Sequence, residues 1–267
     1  MNEASRTIAI VGRSGQVARA LADRLAGAGH AVRIVARPDV DLLDGPSVHR
    51  AIVALRPDIV INAAAYTAVD RAEDEPDIAN AINADGAGVV AAAAAEAGAP
   101  VIHFSTDYVF DGSKASAYSE DDACAPLGVY GRSKLSGETL VAAANPRHVI
   151  LRTAWVCSPH GANFLKTMLR LAAERPELSV VDDQYGSPTF ADDLAVAATQ
   201  LVPRLLEPNA RADRFGILHA VNGGGTTWGK FSPAIMTGAA KRGGSPIRTG
   251  VASTSCTVSP TSRRCRS

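Results

Sequence analysis

Tyr130-Gly131-Arg132-Ser133-Lys134 places a phenol and an ammonium four residues apart. On a helix, positions i and i+4 share a face. A lysine one turn from a tyrosine is expected to lower the phenol pKa by its charge. Such a phenol can give a proton to a carbonyl oxygen while a hydride reaches the carbon. Ser105-Thr106 lies 24 residues before Tyr130 and ends an apolar run, so a hydroxyl there can hydrogen-bond the same carbonyl. Thr106, Tyr130 and Lys134 are the candidate catalytic set.

A hydride needs a donor, and the start of the chain offers a place for one. Gly12-Arg13-Ser14-Gly15-Gln16-Val17-Ala18 follows the apolar run 8–11 and opens a helical pattern. Glycine allows a tight turn and lets backbone approach a pyrophosphate, while a helix N-terminus supplies amide donors. Ala18 stands where a third glycine is usual and is small enough for close helix–strand packing. The second apolar run ends at Val35-Ala36-Arg37, without the acidic residue that would bind a ribose 2′-hydroxyl. Arg37 either accepts a 2′-phosphate, which leans toward NADPH over NADH, or is a solvated surface arginine. Asp41-Leu42 could flank the adenine. Asn62-Ala63-Ala64-Ala65 is either a small-residue passage beside the nicotinamide or a plain strand-to-loop transition.

These motifs need a rigid frame. Apolar runs at 8–11, 32–36, 59–62, 101–105 and 149–153 alternate with helical patterns at 15–26, 47–55, 77–97 and 130–144. That alternation predicts βαβ units and a Rossmann-type doubly wound parallel sheet, class α/β. Few aromatics (5%) within a 46% hydrophobic composition make the core one of Ala, Val, Leu and Ile, as parallel sheets under Ala-rich helices require. Residues 1–153 are read as the nucleotide domain. Residues 154–231, with helices at 164–174 and 192–206 and strands at 178–181 and 217–221, are read as a smaller C-terminal substrate lobe interleaved with the sheet. A formal net charge of zero speaks against nucleic-acid or membrane-surface partners. No run approaches the roughly 18 apolar residues of a membrane span and no signal stretch is evident, which predicts a cytoplasmic protein. Cys124, Cys157, Cys256 and Cys265 lack metal-site or disulfide spacing. His103, inside a strand, reads as a satisfied core residue, and His30, His49, His148, His160 and His219 read as structural.

Ser105-Thr106-Asp107-Tyr108-Val109-Phe110-Asp111-Gly112 gives the chain a family likeness. It resembles the dTDP-4-dehydrorhamnose reductases, extended short-chain dehydrogenases of sugar-nucleotide synthesis. Residues 56–70 (RPDIVINAAAYTAVD), 126–138 (PLGVYGRSKLSGE), 151–156 (LRTAWV), 163–171 (NFLKTMLRL), 181–189 (VDDQYGSPT) and 224–228 (GGTTW) carry the same resemblance, which extends over about residues 6–231. It implies NADPH, with NADH the second candidate, and a dTDP-linked 4-keto sugar as substrate. By motif match Tyr130 is the proton donor, Lys134 tunes it and holds the nicotinamide ribose, and Thr106 orients the keto group. Asp107, Tyr108 and Trp155 would line the sugar pocket. Gly12, Ser14, Gly15, Gln16 and Val17 would hold the pyrophosphate, and Arg37, Asp41, Leu42, Ala63, Ala64, Ala65 and Thr67 would complete the cofactor cleft. Related sugar-nucleotide dehydratases carry Asp-Glu after the Thr; here Tyr108 follows Asp107, so elimination lacks its second carboxylate. The alternative is a cofactor-binding but inactive or regulatory relative.

The likeness is expected to fail at the end. All 27 acidic residues lie at or before Asp213, so residues 1–213 carry −8 and residues 214–267 carry +8. Pro233 stands where the family runs a helix, a position that costs about 3 kcal/mol in a helix interior. Residues 232–267 are therefore read as an atypical tail, disordered or frameshifted from near Phe231, or an arm packing on a partner subunit. Some relatives bridge subunits of a homodimer through acidic residues and Mg2+; Arg19-Ala20 offers no carboxylate there, so no metal is expected.

Overall fold

The computed structural model describes residues 5–175, 177–208, 210–241 and 250–251. The five strands expected of the sheet are present: β1 (Thr7–Val11), β2 (Ala31–Val35), β3 (Ile59–Asn62), β4 (Val101–Thr106) and β5 (His148–Thr153). β10 (Gly216–His219) joins them from late in the chain. The sheet order is β2-β1-β3-β4-β5-β10, with every neighbouring pair parallel. All residues of β3 and β4 are buried, as strands covered on both faces must be. The order reverses between β1 and β3. In open α/β sheets that switch point, at the carboxyl ends of the strands, is where ligands bind.

Helices cover both faces. α1 (Gln16–Gly27) and α8 (Ala191–Leu205) bury Leu21, Leu25, Leu194 and Val202 against Ile8, Ile10, Ile59 and Leu151. α2 (Gly45–Leu55), α5 (Gly86–Glu96) and α6 (Val129–Ala144) bury Val48, Ile52, Val90 and Val141 against Ala9, Val11, Val60 and Val101. Asp44 starts α2 by accepting the Ser47 amide with Pro46 in the first turn, and Arg56 ends it in the left-handed region at φ 44°. From late in the chain, α8 and β10 complete the main layers.

The predicted helix 77–97 is found with an interruption. A short α3 (Arg71–Asp74) precedes α4 (Pro76–Asn80); a π-turn over Ala81–Asp85 leads on into α5. Its extra residue turns Asn83 toward α6. Asn83 Oδ1 accepts from the Tyr66 amide (2.8 Å), and its Nδ2 donates to the Tyr66 carbonyl (3.0 Å) and Ser133 Oγ (3.0 Å). Gly137 lets α6 press on the Asn83 carbonyl, where a Cβ would fall 2.0 Å away. This 21-residue stretch, 76–96, is apolar and long enough to cross a membrane, yet half of its apolar window is buried in the molecule.

The smaller lobe pairs α7 (Phe164–Glu174) with α9 (Trp228–Lys241) around Met168, Ile235 and Met236. Two-residue strands brace it: β6 (Val156–Cys157) with β9 (Thr189–Phe190), β8 (Tyr185–Gly186) with β11 (Thr226–Thr227), and β7 (Glu177–Leu178) with β12 (Gly250–Val251). Here the sequence expectation is corrected. α9 runs through Pro233 to Lys241. Thr227 Oγ1 caps it by accepting the Lys230 amide (3.2 Å), and the lost bond falls on the Gly229 carbonyl, early in the helix. Burial of Ile235 and Met236 offsets that loss. The rest of the expected tail, apart from Gly250–Val251, lies outside the described residues.

Candidate active site

The catalytic candidates meet at the carboxyl end of β4. Thr106, the last residue of the strand, is buried; its Oγ1 donates to Asp107 Oδ1 (3.1 Å) and accepts from the Tyr108 amide (3.2 Å). Tyr130 reaches the same point from the first turn of α6, hydrogen-bonded to Thr106 and edge-on to Tyr108, ring centres 5.5 Å apart. Gly131 permits this approach, because a Cβ there would lie 2.2 Å from the Tyr108 carbonyl. Lys134 is 2% exposed; its Nζ donates to the Phe104 carbonyl (2.7 Å) and lies 3.2 Å from His103 Nε2. Asn62 Nδ2 is 3.1 Å from the other ring nitrogen, so His103 is a satisfied core histidine, as read.

Charge at this point is set mainly by burial. Burial pushes the Tyr130 phenol up to about 12; the Thr106 hydrogen bond opposes that shift and Asp107 adds to it. The expected lowering of Tyr130 by Lys134 is therefore not found, because the lysine ammonium is turned into the sheet. Burial lowers Lys134 to about 8, against the attraction of Glu138. It holds His103 well below the usual imidazole range, helped by the Lys134 charge. Asp107 rises to about 6 through burial, despite hydrogen bonds from Thr106 and backbone amides.

A raised carboxyl pKa means that the folded chain holds its proton more tightly than the unfolded chain, so this group loses stability as pH climbs from about 4 to 6. Asp107→Asn is expected to raise stability at pH 8 by on the order of 3 kcal/mol. The gain should shrink to about 0.2 kcal/mol at pH 3.5, where both states are mostly protonated. Urea titrations at the two pH values measure it, and an equal effect at both would contradict the assignment.

The β1–α1 turn fits a dinucleotide. Gly12 has φ 115°, and a Cβ on it would sit 3.3 Å from the Ala64 amide, so only glycine lets the turn and the β3 loop approach this closely. Gly15 caps α1 with no side-chain hydrogen bond, which leaves the first amides directed outward beside the exposed Ser14 and partly buried Val17. Ala63 donates its amide to the Val11 carbonyl (3.0 Å) and Ala64 to Asn62 Oδ1 (3.2 Å), which fixes the small-residue passage through Ala65 to the exposed Thr67. Leu42 packs over Gly86, and Asp41 Oδ1 accepts the Leu43 amide (3.0 Å). Gln16 opens α1. Its side chain is engaged with the smaller lobe, accepting from Asn163 Nδ2 (2.7 Å) and donating to the Val156 carbonyl (3.4 Å).

Arg37 is exposed at the end of β2. Sequence reasoning missed Arg13, which pairs with Asp39 (3.0 Å) on the same side of the cleft; its place inside the glycine turn was the available signal. Arg37→Asp is expected to cut the preference for NADPH over NADH in kcat/KM at least about tenfold, by exchanging a phosphate ligand for a hydroxyl acceptor. An unchanged ratio would make Arg37 a surface residue.

Beyond Thr106 opens a cavity of about 940 Å³, lined among others by Asp107, Phe110, Arg152, Thr153, Tyr185 and His219. Asp107 faces it. Tyr108 instead packs on Tyr130. Trp155, at φ 44°, stacks on Trp228 with ring centres 3.4 Å apart and planes 8° apart, and is not among the lining residues. The stack forms because Gly186 leaves room for the indole; a Cβ there would collide at 2.4 Å. Sequence reasoning also missed Glu138, which follows Lys134 by one more turn. It grips Arg152 through Nε (3.0 Å) and Nη2 (2.7 Å) and accepts from Ser105 Oγ (2.5 Å). Among the described residues no group of three or more His, Cys, Asp and Glu side chains is arranged to hold a metal ion.

A doubly wound parallel sheet, a glycine turn at its switch point and a Thr-Tyr-Lys cluster at the end of β4 define the extended short-chain dehydrogenase/reductase class. The family model described as "RmlD substrate binding domain" matches residues 6–264, beyond the point where the motifs had suggested that the likeness stops. The dTDP-4-dehydrorhamnose reductase of Sinorhizobium fredii is 48% identical over 230 residues, 86% of this chain and 77% of that protein. That of Salmonella typhimurium is 42% identical over 239 residues, 88% and 79% respectively. A crystal structure of the Bacillus anthracis reductase in complex with NADP superposes with a TM-score of 0.86 at 36% identity, covering 95% of this chain and 85% of that one. The chain belongs to the dTDP-4-dehydrorhamnose reductase family.

Proposed function

We propose that the chain reduces the 4-keto group of dTDP-4-dehydro-β-L-rhamnose to give dTDP-L-rhamnose, with NADPH as the preferred reductant and NADH as a second one, in the cytoplasm. The carrying observation is the convergence of Thr106, Tyr130 and Lys134 between the glycine turn and the cavity. When bound, the reduced nicotinamide supplies the hydride that the carbonyl carbon receives. The amides at the start of α1, with Gly12, Ser14 and Gly15, hold the pyrophosphate; Arg37 takes the 2′-phosphate; Ala63, Ala64 and Ala65 give the ribose room.

Tyr130 holds a proton at its phenol oxygen and gives it to the carbonyl oxygen. A phenol raised to about 12 is protonated throughout the neutral range, which suits the reductive direction. Thr106 orients the carbonyl by hydrogen bonding. Giving up that proton leaves a phenolate on Tyr130; the Lys134 ammonium, after turning from the Phe104 carbonyl, stabilises it and binds ribose hydroxyls, and the phenol is restored by a proton from solvent. Asp107 accepts from a sugar hydroxyl. The large cavity accommodates the sugar and its diphosphate.

The test is oxidation of NADPH at 340 nm in the presence of enzymatically prepared dTDP-4-dehydro-L-rhamnose. Turnover that yields dTDP-L-rhamnose carries the reading. Cofactor binding without turnover overturns it in favour of an inactive relative.

A further inference from the structure

Among the described residues, four buried polar side-chain atoms have no hydrogen-bond partner: Asp107 Oδ2, Arg152 Nη1, Thr153 Oγ1 and His219 Nε2. All four residues line the same cavity. Buried polar atoms are almost always paired, and an unpaired one carries its full desolvation penalty. Four in one wall point to a polar ligand.

The sheet itself sets their spacing. Ser105, Arg152 and His219 stand in register across β4, β5 and β10, and Thr153 is paired with Thr106 one step further on. Thr153 is therefore the strand neighbour of the hydroxyl that orients the keto group. Arg152 and Thr153 are 4% and 8% exposed. Glu138 holds Arg152 through Nε and Nη2, which leaves Nη1 as a fixed donor. The His219 ring gives a hydrogen bond to the Tyr118 carbonyl and is held neutral by burial, so its Nε2 is an acceptor. Phe110 lies beneath both, 5.1 Å from the Arg152 guanidinium and 5.8 Å from the His219 ring.

The wall offers a donor, two acceptors and a hydroxyl able to do either. A diphosphate only accepts hydrogen bonds, and the Asp107 carboxylate and the His219 lone pair would face it unfavourably. Adjacent ring hydroxyls, each both donor and acceptor, satisfy all four atoms. We propose that Arg152, Thr153 and His219, beside Asp107, read the hydroxyl pattern of the hexose and so determine which sugar is reduced. This rests on the reading above that the substrate is a nucleotide-linked keto sugar.

The experiment compares calorimetric binding of dTDP-L-rhamnose and of dTDP to the NADP-loaded protein, and of NADPH to the unloaded protein, with Thr153→Val, Thr153→Ser and His219→Phe as variants. Thr153→Val and His219→Phe are each expected to weaken dTDP-L-rhamnose about tenfold, to leave dTDP and NADPH within about twofold, and Thr153→Ser to bind like the parent. KM for the keto sugar should rise in parallel. Unchanged sugar affinity, or losses shared equally by dTDP or NADPH, would overturn the proposal, the latter by making the residues structural. Turnover by the parent chain separates the two readings. A parent that reduces the keto sugar while the variants bind normally defeats this inference alone, and a parent with no turnover defeats the reductase reading itself.

Discussion

Tyr130→Phe is expected to lower kcat for the keto sugar by about 10²- to 10⁴-fold, the usual contribution of a positioned general acid. KM and the affinity for NADPH should change little, because the ring keeps its edge-on contact with Tyr108 and only the hydroxyl is lost. The residual rate should keep the alkaline fall that Lys134 sets. In the parent, Lys134 at about 8 discharges well before Tyr130 at about 12, so activity should fall first near pH 8. A pH–rate profile of kcat/KM checks this order. A Phe variant retaining more than about a tenth of the parent rate would remove Tyr130 from the proton-donor role.

The second large effect concerns stability. Glu138→Ala leaves the Arg152 guanidinium buried without its carboxylate, and breaking such a pair costs about 3–5 kcal/mol. In a chain of this size that lowers Tm by on the order of 10 °C. The pair itself is a different matter: replacing both partners by apolar residues of similar volume, as in Glu138→Leu with Arg152→Met, is expected to cost far less than the single change, since desolvation of two charges is then avoided. Thermal denaturation of the three variants measures the contrast. A double variant as unstable as Glu138→Ala would mean that the pair is worth more than its desolvation. Retained here, the pair fixes Arg152 beside the cavity.

What the sequence made legible follows from how each feature is encoded. Strand–helix alternation is local and periodic, so the parallel sheet, its first five strands and the glycine turn could be read along the chain, whereas β10 was read as part of the smaller lobe. Tyr130 and Lys134 announce themselves through i, i+4 spacing. The Glu138–Arg152 pair does not, because its partners come from a helix and a strand that meet only in the folded sheet; an arginine inside the apolar run VILRT was the trace it left. His219 was read as structural, although β10 carries it to the cavity wall, since the register between β5 and β10 is a tertiary fact. The π-turn at Ala81–Asp85 has no periodic signature of its own. Pro233 was over-weighted: backbone rules predicted a break, and packing of Ile235 and Met236 on α7 prevailed. Lys134 turned inward because its nearest acceptors, the Phe104 carbonyl and His103, lie on a neighbouring strand that spacing alone cannot show.

The stacking of Trp155 on Trp228 has an optical consequence. The chain has two tryptophans, and both stand in this one pair, flanked by Phe164. The nucleotide-binding sheet contributes no indole to the emission, so tryptophan fluorescence is a private signal of the smaller lobe. Two indoles nearly face to face also couple their transitions, so the near-ultraviolet circular dichroism carries the same address. A change in either spectrum when sugar nucleotide is added, with none when the dinucleotide is added, would time the movement of one lobe without labelling the protein at all.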